Sequence, residues 1–152
     1  IIGAASSGVT LTVIDKITAA GVTMFSPANT SPALSDYADN GLYFRTAPPD
    51  GLQATALTDI IMRDGVRRIY IVARDDAYGK GLMDSVRADL VDAGLDRDDI
   101  KAVPYSPDSP DFGDLGTDIK AFGPDGVLLL GFDESADALS SIMKAGLKSR
   151  LL

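Results

Sequence analysis

The sequence predicts an α/β fold built on a mostly parallel sheet, and two features carry that prediction. Short apolar runs alternate with longer stretches whose apolar residues recur at helical spacing, the pattern of strands joined by crossover helices. One apolar run contains Leu128, Leu129 and Leu130 in succession, as expected of a strand covered on both faces.

The elements follow in order. Ile1–Ala5 reads as a strand, and Val13, Ile14 and Ile17 mark one face of the next helix, ended by Gly21. Val22–Phe25 is the second strand. The segment Ser26–Asn40 is rich in Ser, Pro, Ala and Asn and reads as loop, with room for one helical turn at Pro32–Ser35. Leu42–Arg45 is a short strand that runs into the breaker Ala47-Pro48-Pro49-Asp50.

A more regular part follows. Asp50 and Gln53 have capping-box spacing, and Leu57, Ile60 and Ile61 face a core before Gly65. Arg68–Ala73 is a strand, and Met83, Val86 and Leu90 stripe a helix ended by Gly94. Ile100–Tyr105 is a strand, and Phe112, Leu115, Ile119 and Phe122 mark a helix. Gly126–Phe132 is a strand, and Leu139, Ile142 and Met143 stripe the last helix before Gly146. From Asp50 onward the expected unit is a three-layer α/β/α sandwich. A Pro-Pro pair continues neither a central strand nor a helix, so the chain is expected to change units there.

Composition narrows the function. With 45% hydrophobic and 24% charged residues, the chain is an ordinary globular sequence. Its net charge of −8 argues against nucleic acid and anionic membrane as partners. The charge is concentrated in residues 50–152, and of the acidic residues only Glu134 is a glutamate. Cys is absent, which excludes disulfides and thiolate metal sites. His is absent too, which removes Ser–His and Cys–His catalysis and His-based metal sites. The sequence starts in one apolar stretch, Ile1–Ala5, and stops in another, Leu151-Leu152, and reads as a fragment.

Three motifs invite catalytic readings, and each has a plainer one. Ser141-Ile142-Met143-Lys144 matches S-x-x-K, and Ser35-Asp36-Tyr37 is faintly like S-D-N. K-T-G is missing, the order is reversed, and Ser141 falls late in its helix. Asp75, Asp76 and Asp133 at strand ends have the placement of a Mg²⁺ pocket, and equally that of helix caps. Tyr78-Gly79-Lys80-Gly81 resembles a shortened phosphate loop but lacks the third Gly and the Ser or Thr after Lys, and its glycines suit a tight turn. No catalytic residue, metal ligand or cofactor is assigned.

The hydroxyl-bearing loops are more informative. Parallel sheets bind ligands beyond the carboxyl ends of their strands, against helix N-termini. Ser6-Ser7-Gly8 follows the first strand, with Ser7 placed to cap the next helix, and Ser26-Pro27-Ala28-Asn29-Thr30 follows the second. Free N–H groups there, with the hydroxyls of Ser7 and Thr30, suit a carboxylate. Simple capping accounts for the same residues.

These stretches resemble a known family. Ile2-Gly3-Ala4-Ala5-Ser6-Ser7 and the run from Ala20-Gly21-Val22 through Ser26-Pro27-Ala28-Asn29-Thr30 to Leu34 are similar to the first-lobe signature of leucine/isoleucine/valine-binding proteins of ABC transporters. Tyr43-Phe44-Arg45-Thr46-Ala47-Pro48-Pro49-Asp50 with Gln53 resembles that family's passage to its second lobe. Asp75-Asp76-Ala77-Tyr78-Gly79-Lys80-Gly81, Asp111-Phe112-Gly113-Asp114-Leu115 and Pro124-Asp125-Gly126-Val127 resemble second-lobe stretches, as do Gly131-Phe132 and Ala145-Gly146-Leu147-Lys148.

The resemblance implies a type I periplasmic-binding-protein fold, with two α/β lobes joined by three crossovers and closing on a ligand. On it, residues 1–47 are part of lobe one, 48–50 a crossover, and 51–152 most of lobe two. It implies that Ser7, Ala28 and Thr30 hold the ligand's α-carboxylate and amino group. Tyr78 would cover the ligand from lobe two, and Phe132 stands where relatives often have an aromatic residue. It further implies a small-molecule ligand, an ABC permease as partner, an extracytoplasmic location (periplasmic or lipid-anchored), and exposed lobe surface through which the fragment would dimerise. The family's acid for the amino group would lie beyond Leu152, and its earliest strands before Ile1. Relatives bind amides, urea and aromatic acids, so the ligand stays open. A ligand-sensing ectodomain or an amide-responsive regulator on the same fold is the alternative, and an α/β phosphoacceptor or hydrolase is a third reading.

Overall fold

Two parallel sheets divide the computed structural model of this chain. The structure describes residues 1–108 and 110–146 and the backbone of Arg150 and Leu151. Leu147, Lys148 and Leu152, which carry part of the sequence pattern above, lie outside the described residues.

The smaller sheet joins β1 (Met24–Ser26) and β2 (Tyr43–Arg45). Helix α1 (Ser7–Ala19) covers it, and Ile14, Met24, Leu34 and Tyr43 make its core. The strand expected at Ile1–Ala5 is a single bridge from Ile2 to Phe25. The Phe25 N–H donates to the Ile1 carbonyl at 2.9 Å and the Gly3 N–H to the Phe25 carbonyl at 2.8 Å. Beyond Gly3 the ladder stops because the Ala4 and Ala5 carbonyls accept side-chain hydrogen bonds instead. A 3₁₀ turn at Pro32–Leu34 fills the place where one helical turn was expected.

The larger sheet has the order β4 (Ile100–Tyr105), β3 (Ile69–Arg74), β5 (Gly126–Leu130), β6 (Arg150–Leu151), and every pairing is parallel. Period-2 alternation in β3 explains its two-sided burial. Ile69, Ile71 and Ala73 meet α2 (Asp50–Arg63) and α3 (Ala77–Asp92) through Ala54, Ile61, Leu82, Val86 and Leu90. Tyr70 and Val72 face the other way, towards Ile119 of α4 (Leu115–Phe122) and Ala138 and Ile142 of α5 (Ser135–Lys144). Strand β5 stops at Leu130, so Phe132 stands in the loop after it, and Phe112 precedes α4 rather than belonging to it.

Capping departs from the spacing argument at two helices. Ser6, not Ser7, is the N-cap of α1, its hydroxyl accepting from the Val9 N–H at 3.4 Å. The Asp50–Gln53 capping box does not form. Pro49 holds the cap position of α2, and Asp50 is the first helical residue, fully buried. Pro49 has no N–H for the Gln53 side chain to reach and no side-chain acceptor of its own, so the reciprocal box cannot form.

The catalytic-looking motifs are structural. Asp76 caps α3, its carboxylate accepting from the Tyr78 and Gly79 N–H groups. Asp75 pairs with Lys80. Gly79 is required by closeness, because a Cβ there would lie 2.3 Å from the Arg74 carbonyl oxygen. Ser141 donates to the Phe112 carbonyl and accepts from the Gly116 N–H, fastening α4 to α5. Helix α3 also meets the smaller unit: a Cβ on Gly81 would sit 2.8 Å from Pro32 Cδ. No helix among the described residues is long and apolar enough to cross a membrane.

At the amino edge of the larger sheet, both oxygens of Asp125 accept backbone N–H bonds from Arg67 and Arg68, each at 2.9 Å. This carboxylate joins the start of β3 to the loop before β5. Asp125→Ala is expected to lower the unfolding free energy by about 1–3 kcal/mol, measured by urea denaturation.

Candidate functional site

The carboxyl end of β1 is held together by buried polar groups. Asn29 is fully buried and saturated. Its amide nitrogen donates to the carbonyls of Ala4 (3.0 Å) and Ala5 (2.9 Å). Its amide oxygen accepts from the hydroxyls of Thr10 (2.6 Å) and Tyr43 (2.9 Å). Beside it the Ser26 hydroxyl donates to the Ala4 carbonyl and accepts from the Ala28 and Asn29 N–H groups. Ser7 is buried at the first turn of α1, where its hydroxyl accepts from the Ser31 N–H at 3.3 Å. Arg45 closes the loop from outside, donating to the Ser31 carbonyl and the Ser35 hydroxyl.

These bonds place Ser7, Ala28 and Thr30 along one wall of a cavity of about 470 Å³. The facing wall is Tyr78, at the start of α3, and Phe132, after β5. All five residues singled out in the sequence therefore border one space. Ala5, Ser6 and Gln53 border it as well, and sequence reasoning had used Ser6 only as loop and Gln53 only as a cap. Tyr78 and Phe132 stack with their ring centroids 5.4 Å apart and their planes 13° from parallel. A second cavity of similar size lies between α4 and α5 and has none of these residues. Its floor is the Ser141 contact that joins those helices.

Asp50 is the residue that the sequence reading missed. It lies directly behind Thr30, its N–H donating to the Thr30 carbonyl at 2.8 Å. Neither carboxylate oxygen has a partner at hydrogen-bonding geometry. Burial raises its pKa, and the Thr30 hydroxyl and Arg45 offset only part of that rise. The Tyr78 phenol is raised by burial first and then by the charges of Asp50 and Asp76. A buried carboxylate without a partner is costly; this one does not border the cavity but lies behind Thr30, which does. Only burial distinguishes Asp50 from an ordinary first-turn acid, so spacing held no signal for it.

Behind the aromatic wall stands a charged cluster. The Arg74 guanidinium donates to Asp76 at 2.8 Å and to Glu134, and lies 4.2 Å from the Phe132 ring centroid. Glu134 also accepts from the Tyr105 hydroxyl (2.6 Å) and the Phe132 N–H (3.3 Å). Burial alone would raise the Glu134 pKa, but bonds from Tyr105, its own backbone, Arg74 and Phe132 bring it down to about 2. Burial and the Glu134 carboxylate push the Tyr105 phenol well up.

Residues 1–152 match a family model described as periplasmic binding protein. The chain is 30% identical over 156 aligned positions to the Leu/Ile/Val-binding protein homolog 3 of Brucella melitensis, covering 100% of this chain and 41% of that protein. A leucine binding protein, LivK, from Thermotoga maritima matches with a TM-score of 0.87 at 20% identity, over 99% of this chain and 43% of that one. An ABC transporter substrate-binding protein from Desulfitobacterium hafniense, solved in complex with Leu, matches with a TM-score of 0.74 at 26% identity. That match covers 99% of this chain and 44% of the other. The chain thus spans about two fifths of the length of these relatives.

Two outcomes test the local analysis. Ser6→Ala should cost about 1 kcal/mol through the lost cap, whereas Ser7→Ala keeps the cap but strips the Ser31 N–H of its buried acceptor and should cost about 1–3 kcal/mol, as thermal melts of both variants measure. Because Glu134 has its folded pKa below the ordinary 4.5, its contribution is complete above that value and is lost as pH falls towards about 2. Glu134→Gln should therefore flatten the fall in stability across this acid range, measured by denaturation at stepped pH.

Proposed function

The chain belongs to the periplasmic binding protein family, and on that premise we propose that it is part of the extracytoplasmic solute-binding component of an ABC importer. Its ligand is a branched-chain amino acid or a similar small molecule. The fold is that of type I periplasmic binding proteins, of which this chain is a part. Residues 1–47 belong to the first lobe, 48–50 are a crossover, and 51–152 are most of the second. The ligand is bound and released unchanged, and the partner of the whole protein is an ABC permease.

The observation that carries this reading is the cavity between the two sheets, polar on one wall and aromatic on the other. The ligand carboxylate sits against Ser7, Ala28 and Thr30, where hydroxyls and the N-terminus of α1 favour an anion. The ammonium group turns towards Thr30, with the Asp50 carboxylate behind it as a counter-charge that offsets the lost hydration. Tyr78 and Phe132 cover the side chain. Asp50 supports an acid for the amino group within this chain, besides the one that the resemblance places beyond Leu152.

Mutations in the full-length protein separate these roles. Thr30→Ala removes one charge-assisted hydrogen bond, worth about 1.5–3 kcal/mol, and should weaken leucine binding about tenfold to a hundredfold. Its ligand-free melting temperature should barely change. Asp50→Asn should raise the ligand-free melting temperature, because a desolvated charge is removed, yet weaken leucine binding. It should also narrow the preference for leucine over 4-methylpentanoate, which lacks the amine. Calorimetry with both ligands measures this, and an unchanged preference would remove Asp50 from the site.

A further inference from the structure

Arg74 does not border the cavity, yet it connects both aromatic residues that do. Its Nε donates to Asp76, two residues before Tyr78, and its Nη1 donates to Glu134, two residues after Phe132. Its guanidinium plane lies against the Phe132 ring. All three charged side chains are largely shielded, with 14% of Arg74, 19% of Asp76 and 16% of Glu134 exposed. Glu134 in turn gathers the end of β4 through Tyr105 and the backbone of Phe132 itself. Phe132 is 50% exposed and belongs to none of the hydrophobic clusters. Apolar packing therefore does not fix its rotamer. What holds the ring is Tyr78 stacked on it and Arg74 lying against it.

We propose that Arg74, bridging Asp76 and Glu134, is a positioning residue that sets the Tyr78–Phe132 wall and thereby selects the ligand by the shape of its apolar side chain. The proposal rests on the binding reading given above. A guanidinium does this because its planar fork reaches two carboxylates in fixed directions while its face packs on an aromatic ring. A lysine ammonium keeps the charge but has neither the fork nor the face. Once the wall is loose, a ligand gains little from a longer side chain, whereas a fixed hydrophobic wall discriminates each methylene by about tenfold or more.

The test uses Arg74→Lys, with Glu134→Gln as a second variant that removes the charge of the other partner. In the ligand-free protein, the ring-to-ring nuclear Overhauser contact between Tyr78 and Phe132 reports the wall directly. In the full-length protein, calorimetry with leucine and with alanine reports selectivity. The expected result is loss of the ring contact and a fall of about tenfold in the leucine-over-alanine affinity ratio. A ring contact that survives Arg74→Lys would overturn the proposal, and so would equal weakening of both ligands. If Arg74→Lys fails to fold, Glu134→Gln decides by the same two readouts. Failure of the unmutated protein to bind either amino acid would sink the binding reading and the selectivity with it. The ring contact in ligand-free protein would still decide whether Arg74 positions the pair.

Discussion

The buried amide of Asn29 is the fastening on which one wall of the cavity depends. A primary amide has two donors and two acceptor lone pairs, and here all four are used. The four bonds reach three parts of the chain: two go to the segment after Ile2, one to helix α1 and one to strand β2. A leucine of similar volume would leave the Ala5 carbonyl and the Thr10 and Tyr43 hydroxyls without these partners, and the Ala4 carbonyl with Ser26 alone, each loss an expensive one in the interior. The irregular path of residues 3–6 follows from this constraint. The backbone leaves the ladder after Gly3 because its next carbonyls are claimed by a side chain.

The opposite wall is organised by charge rather than by neutral polar groups. Arg74, Asp76 and Glu134 draw together the carboxyl ends of β3 and β5, while Tyr105 brings in β4. Both solutions answer one problem, since strand ends and helix starts present unpaired backbone groups where a ligand must approach. Asp50 is the exception. Among these buried polar groups its carboxylate has no partner at hydrogen-bonding geometry.

Much of this was legible in the sequence because periodicity and punctuation are local. Three of the four strands of the larger sheet, Ile69–Arg74, Ile100–Tyr105 and Gly126–Leu130, stand where apolar runs and turn glycines put them. The hydroxyl loops were legible as strand-end loops. What was not legible depends on burial and three-dimensional partners. Ser6 and Ser7 are chemically identical neighbours, and only the direction in which the chain enters α1 decides which one caps. Asp50 at the start of a helix looks like a routine favourable acid, and only its enclosure reverses the sign of its contribution. The role of Glu134 was hidden for a related reason. Its partners lie 60 residues away at Arg74 and 29 away at Tyr105, and no local pattern spans such distances.

The close approach of Gly81 to Pro32 has a mechanical consequence. It brings the start of α3 against the 3₁₀ turn through ring carbons, a contact with no preferred direction and only dispersion to lose on parting. The Asp50 N–H bond to the Thr30 carbonyl is directional by comparison and lies where the chain passes between the units. Among the described residues, a directional bond beside the connecting segment and a dispersion contact farther out resist rotation less than translation. The glycine then acts as a smooth bearing surface beside a fixed axle, and a side chain there would act as a wedge between the parts.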